Sequence, residues 1–223
     1  MKAVRIREYG GLEVLKWEDA DVPPPRPHQD LIKVESSGVN YADIMRRQGN
    51  YPGPDLPATL GLEAAGIIEE IGADVSSSLQ IGQRVMGMGP QGNAEYVAIN
   101  ANLVFPYPEN VDPQIAGGMP IVFLTAYHLL RSRGQLQQGD TVLIQAGASG
   151  VGTVATQLAQ SWGARVITTA STTDKLDLSK SLGANETINY TEQDFNKELW
   201  NLRKVKESSL YLNASEDQYW KKA

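Results

Sequence analysis

The chain has 223 residues, of which 41% are hydrophobic, and a net charge of −6 with acidic and basic residues mixed along its length. This length and composition allow a buried core, and the absence of a basic stripe argues against nucleic acid as a partner. The sequence contains no cysteine, which excludes disulfides, thiolate catalysis and cysteine-based zinc sites.

The remaining composition predicts no metal and no membrane. His28 and His128 are the only histidines and lie far apart, without the spacing of metal ligands. The N-terminus lacks the apolar core of a signal peptide, and no apolar run is long enough to cross a bilayer. We therefore expect a cytoplasmic protein without a membrane partner.

Residues 1–120 predict a β-rich domain. Short alternating segments separated by Gly, Pro and Asn are typical of a small barrel or sandwich. The proline run at 23–27 favours a connection between two strands, with a polyproline ligand for a partner domain as the alternative. The expected strand segments lie near residues 4–6, 14–17, 31–35, 61–72, 84–89 and 94–99.

The pattern changes after residue 112. Asp112-Pro113 is a helix-start signal, and 121–131 is apolar at helical spacing. The rest alternates, and a β-α-β-α-β series predicts a parallel sheet with right-handed crossovers, half of a doubly wound fold. The predicted elements are strands 141–145, 165–169 and 186–190 and helices 150–162 and 173–182, the helices ended by Gly163 and Gly183.

The strongest chemical signal is the turn Ala146-Gly147-Ala148-Ser149-Gly150-Val151-Gly152, between a predicted strand and a predicted helix. Small residues allow the backbone to approach a diphosphate, and a helix N-terminus supplies N–H groups and a positive dipole end. The amides of Ser149, Gly150, Val151 and Gly152 are the predicted binding groups, and Gly152 is expected to let the helix pack closely. The alternative is a plain glycine-rich turn; the strand–turn–helix context favours a dinucleotide.

The residues after the second strand of this series favour NADP(H) over NAD(H). An acidic residue at this place would bind the ribose hydroxyls and repel a 2′-phosphate. The sequence has Ser171, Thr172 and Thr173 here, followed by Asp174 and Lys175. Hydroxyls and an ammonium suit a phosphate, whereas Asp174 suits the first turn of the next helix. Lys175 on a solvated helix face is the alternative.

Several motifs in the same order resemble the medium-chain dehydrogenase/reductase superfamily, in its zinc-free quinone oxidoreductase or zeta-crystallin-like branch. The resemblance covers about residues 1–195. The motifs are Gly38-Val39-Asn40-Tyr41-Ala42-Asp43, Gly61-Leu62-Glu63-Ala64-Ala65-Gly66, Leu124-Thr125-Ala126-Tyr127, the glycine turn, and Leu182-Gly183-Ala184 through Ile188-Asn189-Tyr190.

The resemblance implies an α/β plus β fold: a GroES-like catalytic domain (1–120), a partial Rossmann domain (121–195) and a divergent tail (196–223). It implies that cofactor lies in the cleft between the domains and that hydride passes from NADPH to a quinone or α,β-unsaturated carbonyl. Family relatives are often dimers, which leaves a homodimer open. By matching position, Asn40, Tyr41 and Thr125 belong near the nicotinamide, and Gly150, Val151, Ser171, Lys175 and Tyr190 along the phosphates and adenosine.

Three positions bear on catalysis. Zinc alcohol dehydrogenases of the superfamily have a histidine ligand where this chain has Leu62, and they also use cysteine ligands; the resemblance therefore implies a zinc-free reaction with an activated acceptor. Met45 stands where some relatives have a tyrosine. Tyr51 remains at another such position, where a general-acid role and a plain loop tyrosine are both open; with Asn40 it forms the predicted catalytic pair.

After Asn196 the sequence is expected to leave the family pattern, with the second half of the Rossmann sheet missing. This loss would expose the strand 141–145 as an apolar edge that invites aggregation. The segment Ser208-Ser209-Leu210-Tyr211-Leu212-Asn213 could form a strand that covers this edge. Three interpretations stay open: an active reductase, a truncated non-catalytic NADP(H)-binding or interaction isoform, and a fragment without independent stability.

Overall fold

The computed structural model describes residues 1–76, 78–194, 197–198, 201 and 209–212. The chain divides into two compact units, Met1–Ile121 and Val122–Ala223. The first unit is rich in antiparallel strands, and the second contains a parallel sheet with helices. The predicted combination of a β-rich part followed by a partial parallel-sheet part is therefore confirmed.

The first unit contains eight described strands in two antiparallel sheets. They are β1 (Lys2–Ile6), β2 (Lys16–Asp19), β3 (Gln29–Ser36), β4 (Ala58–Thr59), β5 (Glu63–Ile71), β6 (Arg84–Met88), β7 (Tyr96–Asn100) and β8 (Val104–Pro106). The smaller sheet has the order β2-β1-β4 and the larger one β7-β3-β5-β6-β8. The larger sheet buries one apolar cluster, since alternate side chains of a strand share a face; its members include Ile32, Ile68, Val85, Val97 and Ile99.

Two local features of this unit differ from the sequence prediction. The sequence predicts a strand around Val14, but Leu12–Val14 is a 3₁₀ turn and β2 begins at Lys16. Val14 is buried in a small cluster with Ile6 and Leu60, so its apolar side chain reflects packing under the turn. Helix α1 (Tyr41–Arg47) is not among the predicted elements.

The predicted helix start at Asp112-Pro113 is confirmed. Helix α2 (Pro113–Ala116) has Pro113 at its first position, and the Asp112 carboxylate accepts a hydrogen bond from Gln114 N at 2.8 Å. A carboxylate at this position satisfies one of the amides that a helix N-terminus leaves without an internal acceptor.

The second unit follows the predicted alternation of strands and helices. Helix α3 (Pro120–Tyr127) begins at the end of the first unit and continues as a π-helical turn, His128–Arg133. Then come β9 (Thr141–Ile144), α4 (Gly150–Ser161), β10 (Arg165–Ala170), α5 (Thr173–Ser181), β11 (Glu186–Asn189) and β12 (Ser209–Leu212). Gly163 and Gly183, which follow α4 and α5, have positive φ of 78° and 107°, as helix-ending glycines do.

The sheet of the second unit has the order β11-β10-β9-β12, with every pair parallel. β12 lies beside β9, with Leu210 opposite Val142 and Tyr211 opposite Leu143. The expectation that this segment covers the β9 edge is confirmed for Ser209–Leu212, while Ser208 and Asn213 lie outside the described residues. The core beside the sheet joins α3, β9, α4 and β10 through Ala126, Val142, Ile144, Ala155 and Val166.

Candidate functional site: a glycine turn in the second unit and a carboxylate–amide cluster in the first

The glycine turn joins β9 to α4 in the predicted place. Ser149 is the N-cap of α4, and its Oγ accepts a hydrogen bond from Gly152 N at 3.0 Å. Ser149 N itself donates to Ala146 O at 2.8 Å. These contacts leave the amides of Gly150 and Val151 as the two at the helix tip that the cap does not use. Of the four predicted binding amides, those of Ser149 and Gly152 thus already have acceptors within the turn, and the binding role of all four stays a prediction.

The three glycines of the turn lie in different structural surroundings. A Cβ on Gly147 would lie 2.6 Å from Thr168 Cβ of β10, so this position keeps the turn close to the neighbouring strand. A Cβ on Gly152 would lie 2.3 Å from Ala146 O, so Gly152 lets the helix approach its own turn. At Gly150, which is exposed, a Cβ would meet only Val122 Cγ1, at 3.2 Å. The helix tip is thus packed closely against the sheet at Gly147, while Gly150 at the start of the helix is exposed.

The carboxyl ends of β9, β10 and β11 lie at one edge of the sheet because these strands are parallel. The predicted residues Ser171 and Tyr190 follow β10 and β11 directly, and the Tyr190 side chain is exposed. Thr191 Oγ1 donates to Ser171 O at 3.3 Å, which ties the two loops together. Lys175 is exposed in the first turn of α5. Ligands of open α/β sheets bind at this edge.

Thr125 lies on α3, one turn after Val122. Val122 is the residue that a Cβ on Gly150 would meet, at 3.2 Å from its Cγ1. Residues three apart on a helix share a face, so the half-buried Thr125 lies on the side of α3 that faces the α4 tip. Tyr127 packs edge-on against Trp162 with ring centroids 5.8 Å apart, which fixes α3 against the end of α4.

In the first unit, Asn40 is the N-cap of α1 and is held by two carboxylates. Asn40 N donates to Asp43 Oδ2 at 2.8 Å, and Asn40 Nδ2 donates to Glu63 Oε1 at 2.7 Å. Asp43 Oδ1 accepts from Gly61 N at 3.0 Å. The motif containing Asn40 and the motif containing Glu63, which are 23 residues apart, therefore meet through these side chains.

Glu63 is buried, with 1% of its surface exposed. Its second oxygen, Oε2, accepts from Ile121 N at 2.7 Å. Burial raises the pKa of Glu63, an effect that the hydrogen bonds from Ile121 N and Asn40 oppose and the charge of Asp43 reinforces. A buried carboxylate with one donor on each oxygen has a fixed orientation.

Glu63 and Asp43 belong to the sequence motifs, but sequence reasoning assigns them no role. A signal for Asp43 exists: an acidic side chain three residues after Asn40 matches the capping-box spacing. For Glu63 the signal is a carboxylate directly before the apolar run Ala64–Ile68, which requires partners if it is buried.

The other predicted residues of this unit lie on or after α1. Tyr41 is the first residue of α1 and its side chain is 74% exposed. Tyr51 is 38% exposed and lies in the following loop. The Arg46 guanidinium donates to Tyr9 Oη at 3.0 Å and to the carbonyls of Tyr51 and Pro54, which fastens this loop to α1.

An apolar groove of about 640 Å³ also lies in the first unit. This volume is in the range of small-molecule sites. Its lining includes the large side chains of Leu12, Trp17, Val39 and Ile44 and the guanidinium-bearing Arg47. Asp43 also lines it, so the groove lies next to the Asn40 cluster.

The described residues form neither a metal-binding cluster nor a membrane span. In the part of the chain that the structure describes, no group of three or more His, Cys, Asp or Glu side chains is placed to hold a metal ion. Among the same residues, no helix combines the length and the apolar character that crossing a bilayer requires.

Comparisons with known proteins match both units. Residues 26–109 match the family model of the alcohol dehydrogenase GroES-like domain, and residues 150–222 match that of the zinc-binding dehydrogenase. The second match runs through residue 222, so it includes the segment after Asn196 that was expected to have left the family pattern. Whether this segment leaves the family pattern stays a prediction, and most of the segment lies outside the described residues.

Among curated proteins, the chain is 37% identical over 199 residues to human quinone oxidoreductase, covering 87% of this chain and 60% of the relative. It is 32% identical over 222 residues to a quinone oxidoreductase of Pseudomonas aeruginosa, covering 98% of this chain and 68% of the relative. The crystal structure of Escherichia coli quinone oxidoreductase complexed with NADPH is similar with a TM-score of 0.86 and 29% identity, covering 94% of this chain and 64% of that one.

The chain thus spans about 60% of the length of the human relative. The two family models occur in the predicted order, and the Pseudomonas aeruginosa relative is matched over more than two thirds of its length. The chain therefore belongs to the quinone oxidoreductase family of the medium-chain dehydrogenase/reductase superfamily.

Proposed function

We propose that the chain binds NADP(H) at the glycine turn and is a zinc-independent oxidoreductase that transfers hydride from NADPH to a quinone or an α,β-unsaturated carbonyl. The observation that carries the proposal is the tip of α4. There, the amides of Gly150 and Val151 are not used by the Ser149 cap, and Gly150 is exposed. A helix tip of this kind attracts a diphosphate through its N–H groups and dipole.

The fit to NADP(H) is supported by the neighbouring loop residues. Ser171 and Lys175 are proposed to bind the 2′-phosphate, since they provide a hydroxyl and an ammonium at the carboxyl end of β10, where an acidic residue would select NAD(H). The exposed ring of Tyr190, after β11, is proposed to flank the adenosine. The similar quinone oxidoreductase of Escherichia coli was crystallised in complex with NADPH, which supports the same cofactor here.

The nicotinamide end is assigned by the family resemblance to Asn40, Tyr41 and Thr125, and this assignment remains a prediction. When bound, NADPH supplies the hydride. The residues of this chain would then orient the ring and keep water from it, because hydride transfer is sensitive to placement.

An electron-poor acceptor suits the residues of the chain. Zinc enzymes of the superfamily polarise an oxygen with a Lewis acid held partly by cysteine, and this sequence has no cysteine and has Leu62 at the histidine position. A quinone or enone accepts hydride at an activated carbon without that help. The name of the curated relatives, quinone oxidoreductase, supports the quinone.

Tyr51 is proposed as the general acid that supplies the proton accompanying hydride transfer. Its side chain is partly exposed and its loop is fastened by Arg46. A loop tyrosine without a chemical role is the competing interpretation. Changing Tyr51 to Phe removes the hydroxyl and keeps the ring; turnover equal to that of the unchanged chain would leave only the second interpretation.

The decisive experiment follows NADPH absorbance after addition of 1,4-benzoquinone to the full chain, with NADH as the matched cofactor and a metal chelator in a parallel sample. The proposal expects turnover with NADPH, weaker turnover with NADH and no loss with chelator. Thermal stabilisation by NADPH without turnover would favour the non-catalytic binding protein. The absence of both stabilisation and turnover would overturn the proposal.

A further inference from the structure

The carboxylate of Glu63 determines which way the Asn40 amide faces. An asparagine amide can be flipped so that its oxygen and nitrogen exchange places. An ionised carboxylate only accepts hydrogen bonds, so Glu63 Oε1 requires the nitrogen end, and Asn40 Nδ2 lies 2.7 Å from it. The oxygen end of the amide is then turned away from Glu63, on the side where the Asn40 side chain also accepts from the backbone amide of Asp43 in the capping box of α1.

The backbone on both sides of this contact is fixed as well. Asn40 N donates to Asp43 Oδ2 at 2.8 Å, which holds the start of α1. Glu63 Oε2 accepts from Ile121 N at 2.7 Å, which holds the carboxylate itself from the other side. Neither group can rotate without breaking a charge-assisted hydrogen bond, and these are stronger than neutral ones.

Two glycines allow close packing around Glu63. A Cβ on Gly38 would lie 2.1 Å from Glu63 Oε1 of the side chain, and a Cβ on Gly92 would lie 2.2 Å from the backbone oxygen of Glu63. The glycine at 38 thus lets the chain approach a side chain that is 1% exposed. Enclosure of an ionisable side chain costs free energy unless it is partnered.

We propose that Glu63 is a positioning residue that presents the Asn40 amide in one orientation to the ligand of the site. Glu63 acts through Asn40 and does not itself meet the ligand. The inference rests on the proposed function only in taking NADPH as that ligand; the orientation of Asn40 in the ligand-free chain is independent of it.

The variant Glu63→Gln separates orientation from folding. A glutamine amide has one accepting end and one donating end. If its oxygen keeps the bond from Ile121 N, its nitrogen faces Asn40, which must flip to accept. Residue 63 keeps both of its hydrogen bonds and nearly its packing, but the Asn40 amide is reversed and gives up its acceptance of the Asp43 backbone amide in the capping box. The matched control is Asp30→Asn, which also changes a fully buried carboxylate of the same unit to its amide but lies outside this cluster.

The experiment records the side-chain amide signals of Asn40 by NMR in the ligand-free full chain and measures NADPH affinity by fluorescence titration. In the unchanged chain, one Nδ2 proton should be strongly deshielded by the carboxylate. Glu63→Gln should lose that signature and weaken NADPH binding about tenfold, the effect of losing one well-placed hydrogen bond. Asp30→Asn should leave both measurements unchanged.

The outcomes are distinct. The positioning role is overturned if Glu63→Gln keeps the deshielded Asn40 signal. It is also overturned if the variant loses that signal while NADPH affinity stays within twofold. If the unchanged chain shows the signature but does not bind NADPH, the proposed function fails, and the orientation of Asn40 by Glu63 stands. Equal effects of Glu63→Gln and Asp30→Asn would show that the loss is not specific to the Asn40 cluster and would also overturn the role.

Discussion

Ser149 Oγ accepts a hydrogen bond from Gly152 N across the first turn of α4, at 3.0 Å. This contact gives an acceptor to one of the amides expected to bind a diphosphate, and Ser149 N donates to Ala146 O. The amides of Gly150 and Val151 are the two that these contacts leave without an acceptor. The proposed binding of the cofactor at the helix tip therefore depends chiefly on these two amides.

Gly150→Asp should reduce NADPH affinity by at least about tenfold, because a carboxylate at the exposed helix tip would occupy the place of the diphosphate and repel it. Isothermal titration of the full chain measures this loss. Gly150→Ala is the matched control, since it adds the same Cβ, 3.2 Å from Val122 Cγ1, without the carboxylate. Equal affinity in the two variants would contradict the assignment of the tip.

Lys175→Glu should weaken NADPH binding about tenfold and leave NADH binding nearly unchanged, because only NADPH carries the 2′-phosphate that the ammonium attracts. The same substitution at Lys180 is the control on the same helix, where the ammonium lies 3.8 Å from Asp177 at the surface. The ratio of the two dissociation constants is the measurement. An equal loss of affinity for NADPH and NADH would show that Lys175 does not contact the 2′-phosphate.

Asp30→Asn should stabilise the chain by about 1 kcal/mol at neutral pH. Asp30 is fully buried on β3, and its two carboxylate oxygens find no hydrogen-bond partner among the described residues. Burial raises the pKa of Asp30. A raised folded-state pKa means that the charged form costs stability at high pH and that the cost disappears as the pH falls through that pKa.

The free energy of unfolding, measured as a function of pH, tests the direction of this effect. The advantage of Asp30→Asn over the unchanged chain should be largest at neutral pH and should shrink as the pH falls through the folded-state pKa toward the ordinary value of an aspartate. Asp21→Asn, at an exposed position, should show no such trend. An advantage that grows on acidification would contradict the assigned burial cost.

The pairing of β12 with β9 predicts that proline at successive positions of β12 will weaken β9 by different amounts. Proline removes a backbone donor, and successive amides of a strand point to opposite sides. Of Leu210→Pro and Tyr211→Pro, we expect one to speed hydrogen exchange in β9 by about tenfold or more and the other to have less effect. Leu210→Val keeps the donor and is the control. No change in β9 with either proline would contradict the pairing.

The strand–helix alternation of the second unit could be predicted because its signals are local. The turn Gly147–Gly152, the caps at Gly163 and Gly183 and the apolar strands all lie within short windows of the sequence. The pairing of β12 could also be anticipated, from the apolar character of Leu210 and Leu212 and the need to cover β9.

The carboxylate–amide cluster could not be predicted in the same way. The contact between Asn40 and Glu63 crosses 23 residues, and that between Glu63 and Ile121 crosses 58. Single-sequence patterns carry no information on such distances. Helix α1 was missed because most of its seven residues, YADIMRR, are exposed or half-buried, so it has no apolar stripe.

A crystal structure of the full chain with NADPH tests the central claim most directly. The claim predicts the diphosphate at the start of α4, with phosphate oxygens within hydrogen-bond distance of Gly150 N and Val151 N. An empty helix tip, or a dinucleotide bound elsewhere with these two amides in water, would contradict it.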